Sequence, residues 1–570
     1  LADGPTIKDD QNKEVHSFEA QEEVRVANVG GIVGNSLNGT INDVLNEGDI
    51  STVQNTINND TYYIAGNVGG VVGRAEDTNI TNATNKEANI RGAHNVGGIA
   101  GYFGNSDTTT EPSYTVTNGI NNGGDILATS ARDAVGNVVK ELVRGDSNKE
   151  NFNIGNMGGI VGYMYGDKTH ITGSANRGTV HSADIEDFRD IKDSSKAANV
   201  GGIVGKIDRR KTNDLSNIKK TDEGREVLIT ENIAVSNSYN TGDVKGFTGI
   251  GGVVGMMYNG EVAGSYNLGA IESTRIANDG DNNNIDPLNM GGVIGDATER
   301  AGASALIYDV YNKGQIGRAD FETYGRHVGG VVGRLSGNIE KAYNNGAIYN
   351  GYTTTGGIAG WWVDGSITNV FNTGNITVYD KSRNTGTTSQ VGGIAGAVEL
   401  GTTTLSNAYN LGTLRSIKSG DTENSLGGII GDVRDFYFQG NDNLEIKNVY
   451  TMGNLYVDSG NIGSIIGKND YASRVTKTNT YYIKPEDGSG FTDLRAVNVN
   501  KDDSNKAIEY DKRTKQNEYK YTYNEREYSL SFSNQEGNSN GDYWRIYDGS
   551  TTPILNAFIP NTEKYFSTHT

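Results

Sequence analysis

The sequence predicts an all-β protein, a right-handed parallel β-helix of about twelve coils with loop insertions and a small C-terminal cap. Three observations carry that prediction: a short glycine phrase recurs along most of the chain, a second phrase alternates with it, and the apolar runs are too short for helices. Glycine accounts for 79 of 570 residues and proline for only 6, which excludes collagen and proline-rich linkers and calls for many tight turns.

The first phrase is VGGIVG at 29–34, VGGVVG at 68–73, VGGIAG at 96–101, MGGIVG at 157–162 and VGGIVG at 200–205. It continues at 250–255, 290–295, 328–333, 355–360, 391–396 and 426–431, and ends as IGSIIG at 462–467. The second phrase reads SYNTGDV at 238–244, SYNLGAI at 265–271, VYNKGQI at 310–316, AYNNGAI at 342–348, VFNTGNI at 370–376 and AYNLGTL at 408–414. Its register places Tyr239, Tyr266, Tyr311, Tyr343, Phe371, Tyr409 and Tyr450 in one column, with the side it faces left open by broken alternation.

Within the unit 356–391 the apolar pieces are Gly357–Ala359, Ile367–Phe371 and Ile376–Val378, separated by Asp364-Gly365 and Asn372-Thr373-Gly374. That reads as three strands and three corners per coil. Units stacked about 4.8 Å apart pair every strand with its counterparts above and below, giving a rod on the order of 58 Å. A β-propeller is the rival architecture, but the spacing is variable and the copies too many for its blades.

Polar insertions interrupt the period at about 127–155, 206–232, 274–288, 379–390 and 432–443. The first places Ala134, Val135, Val138, Val139 and Leu142 at helical spacing. The second carries Arg209-Arg210-Lys211 and Lys219-Lys220, read as a solvated loop in preference to an anion site. In the third, Asp279, Asp281, Asn283 and Asp286 of DGDNNNID offer oxygen ligands to calcium, although the spaced glycine and bidentate glutamate of an EF-hand are missing. A solvated acidic loop is the competing reading, and no other cofactor is expected.

The organisation is therefore an N-terminal segment or cap at 1–25, the repeat β-helix at 26–470, and a β-rich cap or linker region at 471–570. In that last region Tyr543–Asp548 and Pro553–Leu555 read as two short strands round a turn. Residues 1–5, Leu-Ala-Asp-Gly-Pro, lack signal-peptide character and a leading Met, so a processed form or an excised fragment is expected.

The formal charge of −20 and pI near 4.8 disfavour nucleic acid and anionic membranes as partners. No apolar run suits a membrane span. Cysteine is absent, and neither a GxSxG elbow nor a GxxxxGK[ST] loop occurs. Asp184, Glu186 and Asp187 could serve a carbohydrate-active β-helix, but such clusters arise by chance among 70 acidic residues, and no enzyme is expected.

The GGIVG phrase with its YNxGxI partner resembles the GLUG motif of secreted bacterial proteins, among them filamentous-haemagglutinin-like exoproteins and the non-catalytic upstream region of immunoglobulin A metallopeptidases. The resemblance covers roughly 26–470, and YWRIYDGSTTPIL at 543–555 is similar to the segment that closes such arrays. It implies a secreted or cell-surface adhesin or stalk whose partner is a protein or glycan on a host or neighbouring cell. The metallopeptidase HExxH pattern fits none of His16, His94, His170, His181, His327 and His569, so protease activity does not carry over. Two alternatives stay open: a structural fibre subunit assembling end to end, and a polysaccharide lyase or hydrolase.

Overall fold

The computed structural model describes residues 27–482 less 52–53, 58–59, 64–65, 93, 106–111, 129–154, 183–198, 211–218, 221–225, 228–232, 275–288, 300–303, 321–324, 381–388, 419–423, 436–441 and 459. It also describes 506–507, 518–523, 526–531, 544–545 and 554–558. Among the described residues the chain winds through twelve coils, as the phrase count predicts.

A coil is built of four strands, not three; the seventh reduces its S4 strand to a bridge at Ile316, and the twelfth shows three among the described residues. In the ninth the four are Thr354–Gly356, Ala359–Asp364, Ser366–Asn372 and Ile376–Asp380. Equivalent strands stack in parallel into four sheets, S1 to S4. S1 holds twelve strands in chain order from Ala27–Gly30 to Gly460–Gly463, so these repeats form a parallel β-helix.

The miscount comes from the glycine phrase itself. Gly356 closes the S1 strand and Ala359 opens the S2 strand, so Gly357-Ile358 is a corner. Crowding, not positive φ, demands these glycines. A Cβ on Gly356 would lie 2.0 Å from the Ala359 carbonyl oxygen, and one on Gly357 would lie 2.1 Å from that of Gly393 and 2.5 Å from Asn372 Cγ.

The second phrase builds S3 and its exit. Ile367 points inward, Thr368 and Asn369 outward, Val370 inward, Phe371 outward and Asn372 inward. Two successive outward residues are possible because Asn369 sits in the left-handed region, φ 55°. The same kink recurs in every coil, at Asp43, Asn82, Asn118, Gly173, Asn237, Gly264, Asp309, Lys341, Asn369, Asn407, Asn448 and Asn479. Asn, Asp and Gly tolerate that conformation best, and the kink resets the alternation that obscured the tyrosine column.

That column faces outward. Consecutive rings from Tyr239 to Tyr450 lie parallel, with centroids 5.2, 4.7, 4.8, 4.8, 4.9 and 5.1 Å apart. Backbone register carries it one coil further, to Tyr481.

The asparagine of the same phrase points inward as a ladder of buried amides. The Asn46 Nδ2 donates to Asn85 Oδ1, and the chain continues through Asn121, Asn176, Asn240, Asn267, Asn312, Asn344 and Asn372 to Asn410 at 2.7–2.9 Å per step. The remaining Nδ2 hydrogen goes to a backbone carbonyl two or three residues on, that of Ala88 for Asn85 and of Gly269 for Asn267 at 2.8 Å, while the Gly269 N–H donates back to Asn267 Oδ1 at 3.2 Å. Every donor is thus used, which is the condition for burying an amide without penalty. A second ladder in S1 runs the opposite way, from Asn199 through Asn156, Asn95 and Asn67 to Asn28.

The interior splits into two main apolar cores, with a small separate cluster of Ile233, Ala263 and Tyr308. One unites the residue after each glycine pair with the inward faces of S2 and S3; the other joins S1 and S4 through Val68, Ile90, Val96 and Ile126 and their equivalents. Between them the second glycine of each pair abuts the asparagine ladder.

At the N-terminal end Ile32, Leu37 and Leu45 of the first coil are exposed, having no coil above them among the described residues. At the other end Lys506–Ala507 pairs in parallel with Tyr481–Tyr482, adding a strand to S3. Trp544–Arg545 and Ile554–Leu555 pair antiparallel, as their sequence predicts.

A variable outward face as candidate binding surface

The repeated residues are consumed by ladders, corners and cores. What does not repeat is the residue following the last glycine of each phrase, the first outward position of S2. In register these are Asn35, Arg74, Tyr102, Tyr163, Lys206 and Met256, then Asp296, Arg334, Trp361, Ala397, Asp432 and Lys468. The parallel register sets them side by side along one face.

From the second to the sixth coil the face brings cations and aromatic rings together. The Arg74 guanidinium lies 4.7 Å from the Tyr102 ring centre, and Tyr102 meets Tyr163 edge-on at 5.7 Å. Lys206 Nζ sits between Tyr163 and Tyr258, at 5.6 and 5.1 Å from their ring centres. The Tyr163 hydroxyl donates to Asp208 Oδ2 at 3.3 Å. Burial pushes the Tyr102 phenol up to about 12 despite Arg74, and burial followed by the Asp208 charge raises Tyr163 further. Both hydroxyls stay protonated and able to donate at any physiological pH.

Further along, Arg334 lies 5.4 Å from the Trp361 ring centre and 3.6 Å from Asp296. The Trp361 indole donates to Glu399 Oε1 at 3.0 Å, and its ring packs 4.6 Å from His327. Burial raises the Asp296 carboxyl although Arg334, Thr298 and Asn289 oppose the shift. His327 is held well below its ordinary value, first by burial and then by Arg326 and other arginines.

At the corner where S2 passes into S3 lies a buried charge knot. Arg209, which reads in the sequence as part of a solvated basic loop, is fully buried. Its Nη1 pairs with Glu261 Oε2 at 2.7 Å and its Nη2 donates to the Thr169 carbonyl. His170 Nδ1 lies 3.0 Å from the Ile233 carbonyl and 3.3 Å from Arg209 Nη2. Arg210 donates to the Tyr165 hydroxyl at 3.0 Å, and Lys219–Lys220 forms a strand with Glu226–Val227; Lys211 lies outside the described residues. The knot therefore anchors the root of the 206–232 insertion.

His170 gives that anchor a pH signature. Burial, then the Arg209 charge, holds its ring down at about 3 against an ordinary 6.5. Above about 6.5 both folded and unfolded states keep it neutral and it contributes no pH dependence. As pH falls from there towards about 3, the unfolded chain takes up a proton that the folded coil refuses. Stability then declines by about 1.4 kcal/mol per pH unit. Urea melts across this window should show a shallower acid loss for His170→Gln than for the wild type; equal slopes would refute the assignment.

The proposed calcium ligands Asp279, Asp281, Asn283 and Asp286 lie outside the described residues, as do Asp184, Glu186 and Asp187 and the helical-spaced 134–142. Sequence reasoning missed the S2 face because it followed what recurs. The signal is nevertheless in the text, as the variable letter immediately after each GGxxG.

Residues 64–91 match the GLUG motif, and that span is one turn of the rod, from the S1 strand Gly66–Gly69 to Ile90 of S4. The chain carries a GLUG repeat region. One GLUG motif is therefore one coil of four strands, closed by its amide ladder. The chain is also similar to halomucin of Haloquadratum walsbyi, at 26% identity over 198 residues. That match takes in 34% of this chain and spans 2% of halomucin's length. No solved structure matches the chain. Among the described residues no helix is long and apolar enough to cross a membrane.

Proposed function

We propose that this GLUG-repeat rod is a secreted or cell-surface adhesin or stalk without catalytic activity. Its S2 face and insertions meet a glycan or protein on a host or neighbouring cell. The GLUG motif and the likeness to halomucin support the extracellular placement. The observation that carries the binding role is the non-repeating S2 column, where the adjacent rings of Tyr102 and Tyr163 are flanked by Arg74 and Lys206 on a rigid sheet.

Such a surface combines flat apolar rings with fixed donors and cations, the side chains that dominate recognition hot spots. The rings pack on sugar or peptide, and the tyrosine hydroxyls and Lys206 supply direction. Holding these groups on strands keeps the cost of ordering them low.

The test is to screen the purified chain against a glycan array and immobilised cell-surface proteins, then repeat with the Tyr163→Ala, Lys206→Ala double variant. Affinity for the captured ligand should fall at least about tenfold, or ~1.4 kcal/mol, with little change in melting temperature. Undiminished binding by a folded double variant would remove the S2 face as the site.

A further inference from the structure

The outward aromatic column on S3 stands apart from the S2 face. Its rings stack parallel, so from Tyr266 to Tyr409 each ring has a neighbour on both faces and only edges point away from the rod. Ring edges carry the positive lobe of the quadrupole and attract the face of an incoming ring.

The chain supplies one such ring itself. Phe558, in the short 3-10 turn Asn556–Phe558, stands perpendicular to both Tyr343 and Phe371, with centroids 5.6 and 4.9 Å away. Since the faces of those two rings are already occupied, Phe558 offers its own face to their edges. Further along, the outward-facing Tyr409 and Tyr450 are buried.

The column does not end where Phe558 sits. Tyr311, Tyr266 and Tyr239 continue it with the same spacing and tilt, and all three are half-exposed. Beside them Leu268 is 44% exposed. Cations flank this stretch: Lys313 Nζ lies 5.3 Å from the Tyr311 ring centre, and Arg177 donates to the Tyr239 hydroxyl at 2.9 Å.

We propose that the outward stretch Tyr239–Tyr266–Tyr311 is a docking strip for an extended protein segment that presents an aromatic ring beside an acidic residue. Continuity with the stretch that accepts Phe558 shows what kind of ring fits, and Arg177 and Lys313 provide the charge complement. The parallel stack repeats along the rod, so a segment lying along it meets equivalent edges at each coil.

The probe is a labelled peptide of residues 543–558, which carries aromatic residues and Asp548. Titrated by fluorescence anisotropy and calorimetry into the full chain, it should bind the wild type once. It should bind the Phe558→Ala chain twice, because both stretches are then open. Tyr266→Ala with Tyr311→Ala should weaken wild-type binding at least tenfold, whereas Tyr266→Phe, which keeps the ring, should not. Circular dichroism checks that each variant is folded. Binding of one peptide by Phe558→Ala but none by the wild type would overturn the proposal, as would wild-type binding that survives loss of both rings. Concentration-dependent dimers that the peptide dissolves would identify a second copy as the bearer of the segment, in support of it.

Discussion

Gly252→Ala should destabilise the rod by about 3 kcal/mol or more, the upper range for forcing atoms into a packed interior. The added Cβ would stand 2.2 Å from the Gly292 carbonyl oxygen and 2.3 Å from Asn267 Cγ. Neither can retreat freely. The Gly252 N–H bonds the Gly291 carbonyl at 3.3 Å, holding the coils in register, and Asn267 is fixed by amides on both sides. In a stacked array stability resides largely in interfaces between neighbours, so the damage should spread from the sixth coil outwards. Gly401→Ala is the control, because its Cβ would meet nothing closer than 3.8 Å. Hydrogen exchange and thermal melting compare the two; matched melting temperatures would mean that the crowding at the glycine pair is not limiting.

Glu261→Ala should cost about 3–5 kcal/mol, the usual penalty for stripping one partner from a buried ion pair. Glu261 is 3% exposed and Arg209 fully enclosed, so the lost carboxylate leaves a cation at a site closed to bulk solvent. Burial already lowers the Arg209 pKa against the pull of Glu261, a sign of how poorly that site tolerates an uncompensated cation. Replacing both partners with methionine should recover much of the loss, since a pair exchanged for apolar bulk leaves no charge stranded. Denaturant titration of the single and double variants separates the cases; equal loss in both would show that packing, not charge, matters there.

The sequence displayed the rod's periodicity plainly, because glycine crowding and the tyrosine column recur at fixed places in each coil. It hid the fourth strand. Gly357-Ile358 looks like part of an apolar strand, and reasoning about corners seeks residues with positive φ, whereas this corner arises from backbone meeting backbone.

Asn372 was misplaced for a related reason. Beside Thr373-Gly374 it reads as a turn residue, yet it is fully buried, and only its equivalents in adjoining coils make that burial affordable. A polar residue inside a solenoid is intelligible only with its copies in view.

The S2 face and Arg209 were harder still, for neither repeats. Arg209 stands between Asp208 and Arg210 in a run that looks solvated, and the Glu261 that neutralises it comes from the next coil.

The amide ladder has one further consequence, for how such a protein changes length. Each interior asparagine passes the same bond upward that it receives from below, so any coil is interchangeable with its neighbour at that seam. Excising residues 327–353 would bring Asn312 to Asn372 with every amide still matched, shortening the rod by one rung of about 4.8 Å. At the far end Thr451 takes the amide's place, accepting from Asn410 at 3.4 Å, and the series closes on a hydroxyl. Reach is thereby variable in single rungs, and each rung removed takes with it only that coil's own letters of the outward faces, here Arg334 on S2 and Tyr343 on S3.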